Sequence, residues 1–128
     1  MRKSLTRVMM VEDEADIQAI ARLSLEVLGQ FTVDVCNTGP EALQRAAEFQ
    51  PDLILLDVMM PLMDGPATLR ALRAQPETAA IPVIFMTAKV QFHEIAQYTA
   101  LGAIGVIHKP FDPMTLPTQI REIWNRTQ

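Results

Sequence analysis

The sequence predicts an α/β fold in which five short strands form a parallel sheet with helices on both faces. Five short apolar segments alternate with five segments whose apolar residues recur at helical spacing. The middle segment, residues 53–57, is apolar up to its final aspartate, which is typical of a strand buried on both faces. A length of 128 residues fits one domain, and we expect that domain to cover residues 1–128.

The first half of the chain supplies two strands and two helices. Strand one is predicted at 7–11, where an apolar run ends in acids, and the alternating segment 31–36 predicts strand two. Residues 15–29 between them have helical spacing, and their expected inner face is Ile17, Ile20, Ala21, Ser24 and Leu28. Pro40 opens the second helix, because proline is favoured in a first turn. The expected inner face of that helix is Leu43, Ala46 and Ala47.

The second half supplies three strands and three helices. Strand three at 53–57 is followed by a helix at 65–74, with Leu69 and Leu72 inward. Strand four is predicted at 82–87, a helix at 91–101 and strand five at 105–108. Asp112 can cap a last helix with Pro113 in its first turn, but Pro117 lacks a backbone donor and can delay the start. The apolar side of this helix is Ile120, Ile123 and Trp124.

Composition limits the classes of function. The net charge of −4 argues against nucleic acid as a direct partner, because phosphate binding requires a basic face. Cys36 is the only cysteine, which excludes a disulfide framework and a cysteine metal site. A reducing, cytoplasmic compartment suits this composition. No apolar run approaches transmembrane length, so we expect no membrane insertion.

Four predicted strands end at chemically reactive side chains. These are Glu12 and Asp13 after strand one, Asp57 at the end of strand three, Thr87 at the end of strand four and Lys109 after strand five. The carboxyl ends of parallel strands meet at one edge of a sheet, where ligands bind. The sequence therefore predicts one pocket that holds three carboxylates, a hydroxyl and an ammonium group.

The carboxylates indicate a metal ion and phosphoryl chemistry. At about 4 Å and an effective dielectric constant of about 20, each pair repels by roughly 4 kcal/mol, so a proton or a cation must bind. Oxygen ligands without histidine or cysteine favour Mg2+ over Zn2+, and Mg2+ commonly also binds phosphate oxygens. Asp57 is then the candidate nucleophile that forms an aspartyl phosphate. Lys109 and Thr87 would hold the phosphate oxygens.

In this order the motifs resemble the response-regulator receiver domain of two-component signalling, over nearly the whole chain. The matching motifs are Glu12-Asp13, Asp57 through Pro61, Asp64-Gly65, Thr87-Ala88 and Lys109-Pro110-Phe111. The resemblance implies a flavodoxin-like (βα)5 fold with strand order 2-1-3-4-5. It implies a chemotaxis-type single-domain regulator. The alternative is a receiver excised from a longer hybrid kinase or multidomain regulator.

The resemblance also implies roles for the site residues. Asp57 would accept a phosphoryl group from a sensor histidine kinase or a histidine phosphotransfer protein. Mg2+ would be bound by Asp13, Asp57 and the backbone carbonyl of Met59, with Glu12 acting mostly through bound water. The residues that would grip the phosphoryl group are Thr87 and Lys109.

The resemblance further implies how the domain signals. Phosphorylation would change the face formed by the fourth helix, fifth strand and fifth helix, and this face would control an output protein. A phosphorylation-linked dimer is one form of that output. Apart from its own phosphorylation and dephosphorylation, the domain is not expected to act as an enzyme.

The sequence departs from the receiver pattern at one important position, Val106, and Met59 and Lys89 occupy positions that tune dephosphorylation in the family. Val106 stands three residues before the lysine, where the family usually has an aromatic residue or histidine that swings inward. Phe92 and Tyr98 on the fourth helix are the alternatives for that role. Met59 cannot readily hydrogen-bond an attacking water, and Lys89 could shield the phosphate. We therefore expect slow self-hydrolysis.

Two other classes of function are weighed against this one. An aspartate-nucleophile phosphatase would need a second aspartate two residues after the nucleophile, where this chain has Met59. A flavin- or nucleotide-binding module would need a glycine-rich or hydroxyl-rich loop after strand one. Residues 12–16 are acidic instead and would repel phosphate in the absence of a metal.

Overall fold

A computed structural model describes residues 4–128, and residues 1–3 of the expected domain lie outside the described part. The elements in chain order are β1 (Arg7–Val11), α1 (Ala15–Leu23), a π-helical segment (Ser24–Leu28), β2 (Thr32–Cys36), α2 (Gly39–Phe49), β3 (Leu53–Asp57), α3 (Gly65–Ala74), β4 (Val83–Thr87), α4 (Phe92–Ala100), β5 (Gly105–His108) and α5 (Leu116–Arg126). Over residues 4–128, no helix combines the length and the apolar character needed to cross a membrane.

The strands of the described chain form one parallel sheet in the order β2-β1-β3-β4-β5. This order confirms the predicted flavodoxin-like (βα)5 arrangement. β3 lies at the centre, paired with β1 and β4, and all five of its residues are buried. Its continuous apolar sequence is explained by this position, because helices cover both faces of a parallel sheet.

The two faces of the sheet have separate cores. On one face, α1, the π-helical segment and α5 pack on the strands through residues that include Ala21, Leu25, Leu116, Ile120 and Trp124. On the other face, α2, α3 and α4 pack through residues that include Ala42, Ala46, Leu69, Leu72 and Tyr98. Successive strand residues point to opposite faces, so each strand contributes to both cores.

The helices after β2 and β3 begin at capping residues. The hydroxyl of Thr38 accepts a hydrogen bond from the Glu41 N–H at 3.2 Å, and Asp64 accepts one from the Ala67 N–H at 2.8 Å. A Cβ atom at Gly65 would lie 2.6 Å from the backbone oxygen of Asp57. Glycine is therefore needed where α3 starts against the end of β3.

The expected inner face of the first helix is partly wrong. Ala21, Ser24 and Leu25 are buried, but Ile20 and Leu28 are each 49% exposed. The helix changes to π geometry at Ser24–Leu28, and the wider turn moves later side chains off the α-helical spacing. Leu23 and Val27 are also exposed, so this region has an outward apolar face.

The last helix begins later than the Asp112 cap predicts. Residues 113–115 form a turn, and α5 starts at Leu116 with Pro117 in its first turn. The Asp112 carbonyl accepts a hydrogen bond from the Leu116 N–H at 2.9 Å. A proline is tolerated only where its missing N–H is not needed, so Pro117 sets the start. The inward positions Ile120, Ile123 and Trp124 are buried as predicted.

Candidate functional site

Three acidic side chains converge at the carboxyl edge of the sheet. One carboxylate oxygen from each of Glu12, Asp13 and Asp57 lies within 4.8 Å of the others. Glu12 and Asp57 are buried, whereas Asp13 is exposed and leaves the cluster open to solvent. The structure thus brings together the three carboxylates that the sequence places after β1 and at the end of β3.

Lys109 lies against this cluster. Its Nζ atom is 2.7 Å from Oε1 of Glu12 and 3.3 Å from Oδ1 of Asp57. The Lys109 N–H donates to the carbonyl of Thr87 at 2.9 Å, which ties the loop after β5 to the end of β4. The Lys109–Pro110 peptide bond is cis. The ammonium group therefore bridges the two buried carboxylates.

Burial and mutual charge set the protonation of the pocket. Desolvation raises the pKa of both Glu12 and Asp57 above their ordinary values, and their contacts with Lys109 only partly oppose this. Burial alone would lower the pKa of Lys109. The hydrogen bond to Glu12 and the charge of Asp57 outweigh that effect and raise it. Lys109 is therefore cationic at neutral pH, and the carboxylates favour a positive partner.

Thr87 is buried at the end of β4, next in the sheet to β3. Its hydroxyl oxygen accepts a hydrogen bond from the Lys89 N–H at 3.0 Å. The hydroxyl hydrogen remains able to donate to another acceptor. Thr87 is linked to Lys109 through its backbone carbonyl and to the loop after β4 through its side chain.

The donor set suits a hard divalent cation. All three side chains offer carboxylate oxygens, and oxygen-only sites are typical of Mg2+. The Met59 N–H hydrogen-bonds to Asp57 and helps to oppose the rise in its pKa. Met59 lies in the acceptor loop, residues 58–64 between β3 and α3, with its side chain 66% exposed.

The motifs did not reveal two contacts that support the site. The Gln18 amide donates to the backbone carbonyl of Glu12 and, at 2.8 Å, to the Asn37 side chain. It thereby joins the loops after β1 and β2. The Lys89 N–H contact with Thr87 was also missed. Neither residue carries a local signal, because each contact depends on how neighbouring loops approach in space.

The acceptor loop also borders a cavity that the sequence did not predict. The cavity has a volume of about 570 Å³ and separates this loop from α4. Val58 and Met60 line one side, and Gln97 and Tyr98 line the other. The space therefore adjoins the predicted acceptor residue without being part of the acidic cluster.

Comparison with known proteins relates the chain to one family. The family model for the response regulator receiver domain matches residues 8–121. The phosphate regulon transcriptional regulatory protein PhoB of Rhizobium meliloti is 36% identical over 124 residues, which are 97% of this chain and 54% of that protein. The transcriptional regulatory protein ResD of Bacillus subtilis is 35% identical, with 94% and 49% covered. The chain thus spans about half the length of these relatives.

Solved structures that resemble this chain come from the same family as these relatives. The chemotaxis response regulator CheY4 of Vibrio cholerae superposes with a TM-score of 0.85 at 29% identity, covering 94% of this chain and 99% of that one. The signal receiver domain of a signal transduction histidine kinase from Syntrophus aciditrophicus gives a TM-score of 0.80 at 29% identity, covering 96% and 92%. With its acidic pocket and bridging lysine at the edge of the sheet, the chain belongs to the response-regulator receiver domain family.

Proposed function

We propose that this receiver domain is a signalling switch that accepts a phosphoryl group on Asp57. The observation that carries the proposal is the environment of this side chain. Asp57 is 4% exposed, lies within reach of two further carboxylates and has the Lys109 ammonium 3.3 Å away. A buried carboxylate beside a fixed cation and an open acidic cluster is arranged for phosphoryl chemistry.

In the proposed reaction, a carboxylate oxygen of Asp57 attacks the phosphorus of a phosphohistidine on a sensor kinase or phosphotransfer protein. The P–O bond to Asp57 forms as the P–N bond breaks, and the imidazole leaves with the electron pair and takes up a proton. Lys109 would contact one phosphoryl oxygen in place of a carboxylate. Thr87 would donate its hydroxyl hydrogen to another oxygen.

The pocket would need Mg2+ for this step. Asp13, Asp57 and the backbone carbonyl of Met59 would hold the ion, and Glu12 would act mostly through water. When bound, Mg2+ neutralises charge on the phosphoryl oxygens. The oxygen-only carboxylate cluster supports this assignment.

The response would reach a partner through the face formed by α4, β5 and α5. Phosphorylation would favour one of two arrangements of this face, which then controls an output protein or a phosphorylation-linked dimer. We expect the domain to work in the cytoplasm, where histidine kinases supply phosphoryl groups. The relatives are about twice as long, so the output here can be a separate protein or a further part of a longer chain.

Acetyl phosphate with Mg2+ tests the proposal directly. Intact-mass measurement should show the gain of one phosphoryl group in the wild type and none in Asp57→Ala. Asp16→Ala, which removes an exposed acid from the first turn of α1, is the matched control and should be modified like the wild type. Equal modification of Asp57→Ala and the wild type would contradict the assignment of the acceptor.

A further inference from the structure

Helix α4 is attached to the sheet through one buried side chain. Within Phe92–Ala100, all of which the structure describes, only Tyr98 is buried. Phe92 is 90% exposed and Ile95 is 38% exposed, so neither apolar residue is buried in the core. A helix with so little buried surface has low local stability. The position of α4 therefore depends mainly on Tyr98.

Tyr98 packs on β4 close to the acceptor pocket. Its ring meets the ring of Phe85 edge to face, with the centroids 5.2 Å apart and the planes at 60°. Phe85 precedes Thr87 by two residues in β4, so both side chains lie on the same face of the sheet. Val106 pairs with Phe85 in the neighbouring strand and is only half-buried. The aromatic contact at this place thus comes from α4.

Space next to Tyr98 would let the ring and its helix move. The cavity of about 570 Å³ has Tyr98 and Lys89 in its walls, opposite Val58 and Met60 of the acceptor loop. The Lys89 N–H donates to the Thr87 hydroxyl at 3.0 Å. A physical connection therefore runs from the Thr87 hydroxyl through the loop after β4 to the space beside Tyr98.

We propose that Tyr98 is the residue that couples Asp57 phosphorylation to the position of α4. This inference rests on the proposed function, because it needs the Thr87 hydroxyl to turn toward a phosphoryl group on Asp57. That turn breaks or shifts the Lys89 contact, moves the loop after β4 and changes the cavity wall. Tyr98 then moves relative to Phe85 and carries α4 with it, since no other side chain of Phe92–Ala100 is buried.

The chain offers a specific probe, because Tyr98 is its only tyrosine. Incorporation of 3-fluorotyrosine gives a single protein resonance in a 19F NMR spectrum. Beryllofluoride with Mg2+, which mimics a phosphoryl group, adds its own bound 19F signal to the same spectrum. We expect the Tyr98 resonance to shift or split when the bound beryllofluoride signal is present. Asp57→Ala should show neither change.

The same spectrum separates failure of the inference from failure of the proposed function. A bound beryllofluoride signal with an unmoved Tyr98 resonance would overturn the inference and leave Asp57 as the acceptor. Absence of the bound signal from the wild type in saturating beryllofluoride and Mg2+ would overturn the proposed function, and the inference with it.

Variants test whether Tyr98 is required for the response of α4. Hydrogen exchange over residues 88–101, measured by mass spectrometry with and without beryllofluoride, reports that response. Tyr98→Leu should lose most of the difference in hydrogen exchange that beryllofluoride causes in the wild type. Acetyl phosphate should still modify Asp57 in this variant within about twofold of the wild-type rate, which corresponds to less than ~0.5 kcal/mol in activation free energy. Tyr98→Phe keeps the ring and should restore the response. Phe92→Leu, an exposed site on the same helix, should leave it unchanged. A full response in Tyr98→Leu would overturn the proposal.

Discussion

Helices α4 and α5 follow neighbouring strands at the same end of the sheet, but they are attached to it in different ways. α5 buries Leu116, Pro117, Ile120, Ile123 and Trp124 against one face of the sheet. α4 buries Tyr98 alone among its residues, all of which are described, and a cavity lies beside that side chain. The two helices have similar lengths, so the difference lies in how much of each is buried.

This difference separates a structural role from a responsive one. Burying a large apolar side chain contributes about 1.5–3 kcal/mol to the free energy of folding. Several contributions of that size therefore hold α5 on the sheet. α4 has one such contribution from its own residues. A change of a few kcal/mol in the interaction free energy at the acceptor pocket can therefore move α4. The same change is too small to move α5 as a unit. Domains that respond to ligands commonly use their least stable elements for the change.

Replacing an isoleucine by alanine on each of the two helices should give the largest contrast in the free energy of unfolding. Ile120→Ala removes a fully buried side chain and should lower the free energy of unfolding by about 2–5 kcal/mol. Ile95→Ala removes a partly exposed side chain from α4 and should lower it by less than ~1 kcal/mol. Urea unfolding followed by the fluorescence of Trp124 measures both. Similar losses would contradict the comparison.

Mg2+ should stabilise the strand-end pocket in a pH-dependent way. Burial raises the pKa of Glu12 and of Asp57 above their ordinary values of 4.5 and 3.8. Protonation of the two carboxyl groups therefore stabilises the folded protein below those values, and this contribution to the free energy of unfolding is lost as the pH rises through the raised pKa values. Bound Mg2+ should offset that loss. At a hundredfold excess over Kd the free energy of unfolding should increase by about 3 kcal/mol at about pH 7.5, and by less at about pH 5.

Thermal unfolding with MgCl2 or EDTA at both pH values checks this prediction. Asp57→Asn removes one ligand charge and should reduce the Mg2+ effect. Glu77→Gln changes an exposed carboxylate outside the pocket and should not. A Mg2+ effect that is equal at both pH values would show that protons do not compete with the metal for these carboxylates.

The acceptor loop should control how long the phosphorylated state lasts. Met59 is largely exposed and cannot readily orient an attacking water, so loss of phosphate should be slow. Met59→Asn supplies an amide and should speed the loss about tenfold, which equals ~1.4 kcal/mol of transition-state stabilisation. Decay of the phosphorylated mass after removal of acetyl phosphate gives the rate, with Leu62→Asn as a control in the same loop. A wild type that decays faster than Met59→Asn would be evidence against the prediction.

A smaller effect concerns the backbone of the acceptor loop. Leu62 has φ of 70° and is 87% exposed, although this conformation is unfavourable for a residue with a Cβ atom. Leu62→Gly relieves that strain but makes the unfolded chain more flexible, so the net stabilisation should be at most ~1 kcal/mol. Leu62→Ala keeps the strain and should not stabilise the protein. Chemical denaturation of both variants distinguishes the two effects.

The sequence was sufficient to predict the strands and the carboxylate cluster. β3 and β5 begin and end at the predicted residues, because an apolar run beside punctuating proline or glycine leaves little choice of boundary. The placement of Glu12, Asp57 and Lys109 in one pocket followed from parallel topology, since strand ends share an edge. These features depend on the local pattern of apolar residues and on the order of the elements along the chain, and both can be read from a sequence.

Other features depend on packing that a sequence does not display. The outward position of Leu28 arises where the helix changes to π geometry, which helical spacing does not reveal. Tyr98 and Phe92 are both aromatic residues on α4, yet one is buried and the other exposed. Only the approach of α4 to β4 distinguishes them. The cavity beside the acceptor loop likewise results from how two elements meet.

The bridge made by Lys109 has a consequence for the charge balance of the pocket. Three carboxylates and one ammonium leave two negative charges when all are ionised, which a single divalent cation cancels. A dianionic phosphoryl group on Asp57 would then leave one uncompensated negative charge in a largely buried place. Such a charge attracts any donor that can approach. The surplus charge would thus provide a force that draws the Thr87 hydroxyl inward and strains the loop that follows it.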